Sequence, residues 1–366
     1  MSTTKVSGCS IRPLEYDVFI GLDVDKHSIA ATMVDYHGHK KSIKMPNDST
    51  ALLNYTRKHF GNKRIAFAYE AGPTGYGLYD NLRAAGHTCL VVASSMVPIQ
   101  RGSRVKTNRL DSDHLSQSMR GGQLNGIRVP TTIYRELRHL TQLRNMYVRQ
   151  LSGTKCRIKA MFLMEGLSFP DAPPNSHWSM RVVNELAQLS CSTVIRFKLD
   201  RLLETLTFHQ QQALMTQRKI RQLCSDDQDL ADSIQYLTSL PGIGWIVASN
   251  VLAHVGDWRQ LHDVHELGAF FGLVPSEHST GDRISKGSIT QAGDPRLRSM
   301  IIEAAWSAIR QDQELAEFYH RVYQRHPRDR AARKAIVAVA RKLTERMYCV
   351  LKERREYIKH PVQGTK

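Results

Sequence analysis

From Ile195 onward, the apolar residues Leu199, Leu202, Leu206, Ala213, Ile220 and Leu223 follow one another at steps of 4, 3, 4, 7, 7 and 3. Steps of this kind keep one face of a helix apolar over many turns. A second seam, Leu140, Leu143, Tyr147, Leu151, Ile158 and Met161, lies upstream. Ser168 to His177, with three prolines, interrupts the two. A long apolar seam must bury itself against another, so residues 130–235 predict two long antiparallel helices packed as a coiled-coil arm. That arm separates two regions of different pattern, 16–125 and 236–366.

Residues 16–125 alternate short apolar runs with helical stretches. Val18 to Asp23, Ser28 to Tyr36, Arg64 to Tyr69 and Thr88 to Ala93 read as strands. Ala51 to Phe60, Gly75 to Ala85 and Leu110 to Arg120 read as helices. Strands first, then strand–helix alternation, is an α/β layer pattern. Residues 236–366 are mainly helical and open at Leu240-Pro241-Gly242-Ile243-Gly244. The expected fold class is therefore α/β plus mainly α.

Acids punctuate the α/β region. Asp23 and Glu70 stand at strand tips, and Asp111 lies near the start of a helix in Asn108-Arg109-Leu110-Asp111-Ser112-Asp113-His114. Strand tips in α/β layers face the crevice where ligands bind. Asn108, Asp111 and His114 share helical spacing and are candidates to face it. Yet the chain carries 51 Lys and Arg against 34 Asp and Glu, a net charge of +17, which favours a polyanionic partner. Acids repel phosphate, so gathering them in such a chain makes sense if they hold Mg²⁺ or Mn²⁺ through hard oxygen ligands. Two such ions can activate an attacking oxygen and stabilise a leaving one.

Over half of the positive excess falls in residues 281–366, with 19 Lys and Arg against 10 Asp and Glu. Arg333, Lys334, Arg341 and Lys342 in the last helical stretch are candidates for phosphate contact. The Pro241-Gly242-Ile243-Gly244 turn suits a helix-hairpin-helix, in which Gly242 and Gly244 would expose amides to a phosphate. Downstream, Ser276-Glu277-His278-Ser279-Thr280-Gly281-Asp282-Arg283, Lys286, Arg296 and Arg298 interleave hydroxyls with cations. A hydroxyl there can attack phosphorus if a metal or base activates it. His262-x-x-His265-Glu266 reads as an exposed helix. There is no GxxxxGK[ST] phosphate loop, so nothing points to an ATP motor.

Six scattered cysteines without a CxxC spacing give neither a zinc pattern nor a disulfide framework. A reducing cytoplasm, near the nucleoid, is the expected setting. No apolar run reaches membrane-span length, and Met1 to Pro13 lacks an apolar signal core, so no membrane partner is expected.

These blocks together resemble the DEDD transposases of insertion sequences, serine-bearing recombinases guided by a bridge RNA. FIGLDVDKHS, AFAYEAGPTGYGLYDNLRAAGH and RVKTNRLDSDHL are similar to the family's ribonuclease-H-like (RuvC-like) catalytic domain. LTSLPGIGWIVASNVLAHVGD, FFGLVPSEHSTGDRISKGSITQAGDPRLRSMIIEAAW and ARKAIVAVARKL are similar to its second, transposase domain. The resemblance puts the family's first two acids on Asp23 and Glu70. It puts the last two on Asn108 and Asp111, so that an amide stands where the family has an acid, with Asp113 or His114 available to compensate. It puts the nucleophilic hydroxyl on Ser279 or Thr280, just before Gly281.

The resemblance further implies a dimer of dimers assembled through the arm, a noncoding bridge RNA, and donor and target DNA. It implies metal-dependent transesterification through a covalent protein–DNA ester, with metal and hydroxyl supplied by different subunits. The competing readings are a metal-dependent nuclease or junction resolvase using the same acids with water, and a non-catalytic nucleic-acid-binding protein.

Overall fold

The computed structural model describes residues 9–98, 108–170, 178–277 and 286–358. The chain divides into two compact units, one ending at Val129 and the other beginning at Pro130.

The first unit runs β1 (Cys9–Ser10), β2 (Val18–Val24), β3 (Ser28–Asp35), β4 (Lys40–Pro46), α1 (Ser49–Phe60), β5 (Ile65–Glu70), α2 (Gly77–Ala84), β6 (Thr88–Val92), α3 (Asn108–Arg120) and β7 (Asn125–Gly126). Five strands form one mixed sheet in the order β4-β3-β2-β5-β6. β2, β3 and β4 are an antiparallel meander, whereas β5 and β6 run parallel to β2. This arrangement is consistent with the ribonuclease-H-like fold that the motifs resemble. β4 has no counterpart in the sequence reading. It is a largely exposed edge strand carrying Lys40, Lys41 and Lys44, and charge of this kind discourages further strand pairing.

The two faces of the sheet differ in side-chain size. On one, Val18, Ile20, Leu22, Phe67 and Tyr69 pack with Leu52 of α1 and Leu82 of α2. On the other, Phe19, Ala66, Ala68 and Leu90 pack with Leu115 and Met119 of α3. Small residues bring α3 close to the sheet. A Cβ on Gly21 would stand 2.1 Å from the Ser112 carbonyl oxygen and 2.6 Å from the Ser116 amide nitrogen. Thr32, opposite Gly21 in the register, shares a 2.9 Å hydrogen bond with the buried Ser112 hydroxyl.

The second unit opens with α4 (Thr132–Met164), α5 (Met180–Ala187) and α6 (Thr193–Asp226). Tyr134 and Leu137, early in α4, share a core with Ile220 and Cys224, late in α6. Ile158, Met161 and Phe162 of α4 share another with Leu199, Leu203 and Leu206 of α6, against which α5 adds Val182 and Leu186. The two long helices are therefore antiparallel. Between those cores the buried residues are small: Thr141, Thr154, Ala213 and Thr216. The three threonine hydroxyls donate to carbonyls of their own helix. Leu203 rather than Leu202 is buried, and Leu143 is exposed, so the observed seam is narrower than the sequence spacing suggests.

The chain continues through α7 (Gln228–Thr238), α8 (Trp245–Val255), α9 (Glu266–Phe270), the hairpin β8 (Pro275–Glu277) and β9 (Lys286–Ile289), α10 (Pro295–Ala308), α11 (Gln313–Gln324) and α12 (Arg328–Glu353). Residues 130–235 and 236–366, read apart in the sequence, fall in this one unit, because the base of the helical pair is built into the core of α7 to α12. The His262-x-x-His265-Glu266 stretch is not an exposed helix: Glu266 is buried at the start of α9, and His265 faces Glu345.

A buried ion network fastens the end of the chain. Asp312, fully buried, caps α11 by accepting from the Leu315 amide. It also lies 3.2 Å from Arg346 and accepts from the Tyr357 hydroxyl at 2.8 Å. Burial alone would raise its carboxyl, but the Leu315 amide, the Tyr357 hydroxyl and the Arg346 guanidinium outweigh that and hold it below the usual carboxylate range. The Tyr357 amide in turn donates to the Ser239 hydroxyl, next to the Leu240-Pro241-Gly242 turn.

Candidate active site

In the parallel pairing of β2 with β5, Leu22 stands opposite Tyr69. Asp23 and Glu70 follow on the next rung. Both therefore project to the same side of the sheet, from strands roughly 4.8 Å apart. That side is the α3 side, since Phe19, Gly21, Ala66 and Ala68 alternate onto it. Moving along β2 from Phe19 to Gly21, the contacts on α3 step back from Met119 and Leu115 to Ser112. The N-terminal turn of α3 is thus the part nearest to Asp23. It brings Asp111, half-buried, and the positive end of the helix dipole to the end of the crevice where the two carboxylates lie.

The remaining acids and donors sort by position on α3. Asn108 is its first residue. Asp113 is turned to the other flank, where its carboxylate forms a 3.0 Å ion pair with Lys40 of the edge strand. His114 falls on the side of the helix facing away from the residues that meet the sheet. The structure therefore places Asp23 and Glu70 on one side of the sheet, passes the α3 turn that carries Asp111 over that side, and turns Asp113 and His114 away from it. Ser94, a residue the sequence reading does not single out, holds Glu70 by donating its hydroxyl to Oε2 at 2.6 Å. Its only sequence signal is a serine pair just after β6. The next strand over thereby fixes the Glu70 carboxylate. Among the described residues, no three of His, Cys, Asp and Glu gather closely enough to enclose a metal ion by themselves. Two hard-oxygen donors on one rung of adjacent strands suit one shared divalent cation, with other positions left to water and substrate.

In the second unit, Ser279, Thr280 and Arg283 lie outside the described residues, in the connection of the β8–β9 hairpin. The stem of that hairpin is well defined. The Ser276 hydroxyl donates to the Ser288 carbonyl at 3.0 Å, and Gly287 leaves the room that the hydroxyl needs. Lys286 opens β9. Arg298 is spent on structure, its Nη1 donating to the carbonyls of Phe271 and Ala292. Arg296 is exposed at the start of α10. Asp294 caps that helix and faces His254 at 3.2 Å.

Gly242 has φ of 77° and packs on α10, where a Cβ would stand 2.2 Å from the Ala304 carbonyl oxygen. Gly244, exposed, caps α8 with open space beside it. On α12, Arg333 and Lys334 are exposed. Arg341 lies near Glu345, and Lys342 is paired with Glu314 at 2.7 Å over the Phe318 ring. Part of the basic run thus neutralises internal acids.

Residues 20–165 match the family model of IS110-type DEDD transposases, and residues 234–320 match that of the IS116/IS110/IS902 transposase family. A Sinorhizobium fredii protein named as a transposase is 30% identical over 298 residues, which is 80% of this chain and 72% of that one. The chain belongs to the DEDD transposases of insertion sequences. The transposase for insertion sequence element IS1533 of Leptospira borgpetersenii is 22% identical over 79% of this transposase and 84% of its own length. A pilin gene-inverting protein of Moraxella bovis is 28% identical over 143 residues, 38% of this chain and 44% of that one. The first match covers the sheet acids and α3, and the second runs from α7 into α11. As a transposase, the protein acts on DNA. Among the described residues, no helix is long and apolar enough to cross a membrane.

Proposed function

We propose that this transposase cuts and rejoins DNA by metal-dependent transesterification, with the hydroxyl of Ser279 or Thr280 as the attacking group and a covalent protein–DNA ester as the intermediate. The observation that carries the reading is the placing of Asp23 and Glu70 on one rung of adjacent parallel strands, on the side crossed by the first turn of α3. Those two carboxylates would hold the cation, and Asp111 would join them from α3. A divalent ion bound there supplies a Lewis acid for the scissile phosphate and lowers the cost of ionising a hydroxyl. Ser94 keeps the Glu70 carboxylate aimed.

An ester to the protein conserves the phosphodiester energy, so rejoining needs no nucleotide cofactor. A noncoding bridge RNA as guide, and a dimer of dimers in which one subunit's acids serve another's hydroxyl, complete the proposal. The exposed Arg296, Arg333 and Lys334 are its phosphate contacts. A gene-inverting relative is in keeping with recombination rather than plain hydrolysis.

The test is a strand-exchange reaction with donor and target DNA and the flanking noncoding RNA, resolved on a denaturing gel. Wild type should leave DNA covalently attached to protein. Asp23→Asn should abolish both cleavage and attachment while RNA binding persists. One of Ser279→Ala and Thr280→Ala should lose attachment. Cleavage without any attached product would establish a water-using nuclease instead, and normal activity in Asp23→Asn would remove the acid pair from the chemistry.

A further inference from the structure

The surface of α10 and α11 carries three touching aromatic rings. Trp306 of α10 lies 5.7 Å, centroid to centroid, from Tyr319 of α11, and Tyr319 lies 6.0 Å from Tyr323 one turn later. The tyrosine planes are only 32° apart, so the rings descend like steps. Trp306 is 40% exposed, and both tyrosines are half-exposed. Tyr319 also leans on the core, whereas Trp306 and Tyr323 lie outside it. An isolated surface aromatic is ordinary, but a contiguous set left open to water marks a binding surface.

Its surroundings identify the occupant. Arg296, Ser299 and Glu303 share the helical stripe of Trp306 along α10, Arg310 follows in the turn just after that helix, and all four are exposed. Arg310, one turn beyond Trp306, enters no ion pair among the described residues, unlike Lys342 and Arg346, which Asp312 and Glu314 neutralise. The stripe begins at the residues that follow β9, the strand leaving the hydroxyl-bearing connection. Aromatic faces in file, flanked by exposed guanidinium groups, are the chemistry that receives bases stacked along a charged backbone. A duplex keeps its base faces stacked on one another, so it cannot use such rings.

We propose that Trp306, Tyr319 and Tyr323 form a stacking platform for unpaired nucleobases, with Arg296 and Arg310 holding the strand's phosphates. Its residues are none of the carboxylates or hydroxyls of the proposed chemistry. It stands whether or not Ser279 or Thr280 is the nucleophile. An unpaired DNA strand and a single-stranded RNA segment present the same faces, and the assay separates them.

Fluorescence anisotropy at one fixed salt concentration should compare the full-length protein with Trp306→Ala, Trp306→Phe and Tyr323→Ala. The probes are an oligothymidylate, an oligouridylate of equal length, an abasic deoxy strand with the same number of phosphates, and a duplex. Trp306→Ala and Tyr323→Ala should each weaken binding to at least one base-bearing strand by roughly 5- to 150-fold. The abasic strand and the duplex should bind as they do to wild type, and Trp306→Phe should retain most of the affinity. A loss on oligouridylate alone identifies RNA as the source, and a loss on oligothymidylate alone identifies DNA. Wild-type affinity of both alanine variants for every probe would overturn the platform. So would an equal loss on the abasic strand, which would assign the effect to phosphate contact or to folding.

Discussion

Gly21 sets how closely α3 approaches the sheet, and replacing it with alanine tests the geometry of the acid site without touching an acid. The added methyl would meet the Ser112 carbonyl oxygen at 2.1 Å, the Ser116 nitrogen at 2.6 Å and the Leu115 Cβ at 3.0 Å. Two of these are backbone atoms of a helix and cannot rotate aside. Ordinary contact begins near 3.4 Å, so α3 must withdraw by about 1.3 Å. That shift thins the layer of Phe19, Leu115 and Met119 and stretches the Thr32–Ser112 bond. Overpacking of this kind costs about 1–3 kcal/mol, with lost packing added.

All four tryptophans lie in the second unit, so their fluorescence should not report the damage. Hydrogen exchange should, with faster exchange throughout α3 and β2 of Gly21→Ala. DNA cleavage should fall with it, because Asp111 rides on the displaced helix. Gly153→Ala is the control of opposite sign. It lies inside α4 with nothing within 4 Å of the new methyl, and should stabilise the second unit by about 0.5–1 kcal/mol. Unchanged α3 protection in Gly21→Ala would refute the account of how the helix and its acid are positioned.

Two further substitutions probe the second unit. Gly242→Ala combines a φ of 77° with a methyl 2.2 Å from the Ala304 carbonyl oxygen. It should cost about 2 kcal/mol or more in denaturant unfolding followed by tryptophan fluorescence. Asp312→Asn should cost on the order of 3 kcal/mol at neutral pH by leaving Arg346 buried without its full partner. Because the Asp312 carboxyl is held below its unfolded value, its contribution is complete above the ordinary carboxylate pKa and is lost as pH falls through the lower folded value. Acid-unfolding curves should therefore be shallower for the variant in that range, and a parallel curve would show that Asp312 is not ionically engaged.

The strands that carry Asp23 and Glu70 are legible because buried parallel strands read as unbroken apolar runs, and an acid at the end of such a run stands out. β4 is illegible for the converse reason: an edge strand is held by backbone bonds and protected by lysines, which read as a loop. Charge alone does not reveal a partner. Asp113 and Lys342 carry the residue types of a ligand and a phosphate contact, yet each is occupied by an ion pair with a residue far off in sequence. Ser94 is legible only once β6 is laid beside β5, since nothing in its neighbours distinguishes it from a turn serine. Gly242, read from sequence as an amide donor, has a packing reason that only the α10 contact discloses.

The long helical pair of the second unit is anchored by large side chains at both ends and joined in between through threonine and alanine. Its span is consequently an adjustable dimension. Matched insertions of about seven residues in α4 and α6 add two whole turns to each and restore the facing register. Neither end would have to be redesigned. The same chemistry could thus be carried on spacers of different reach, with the midsection acting as a ruler.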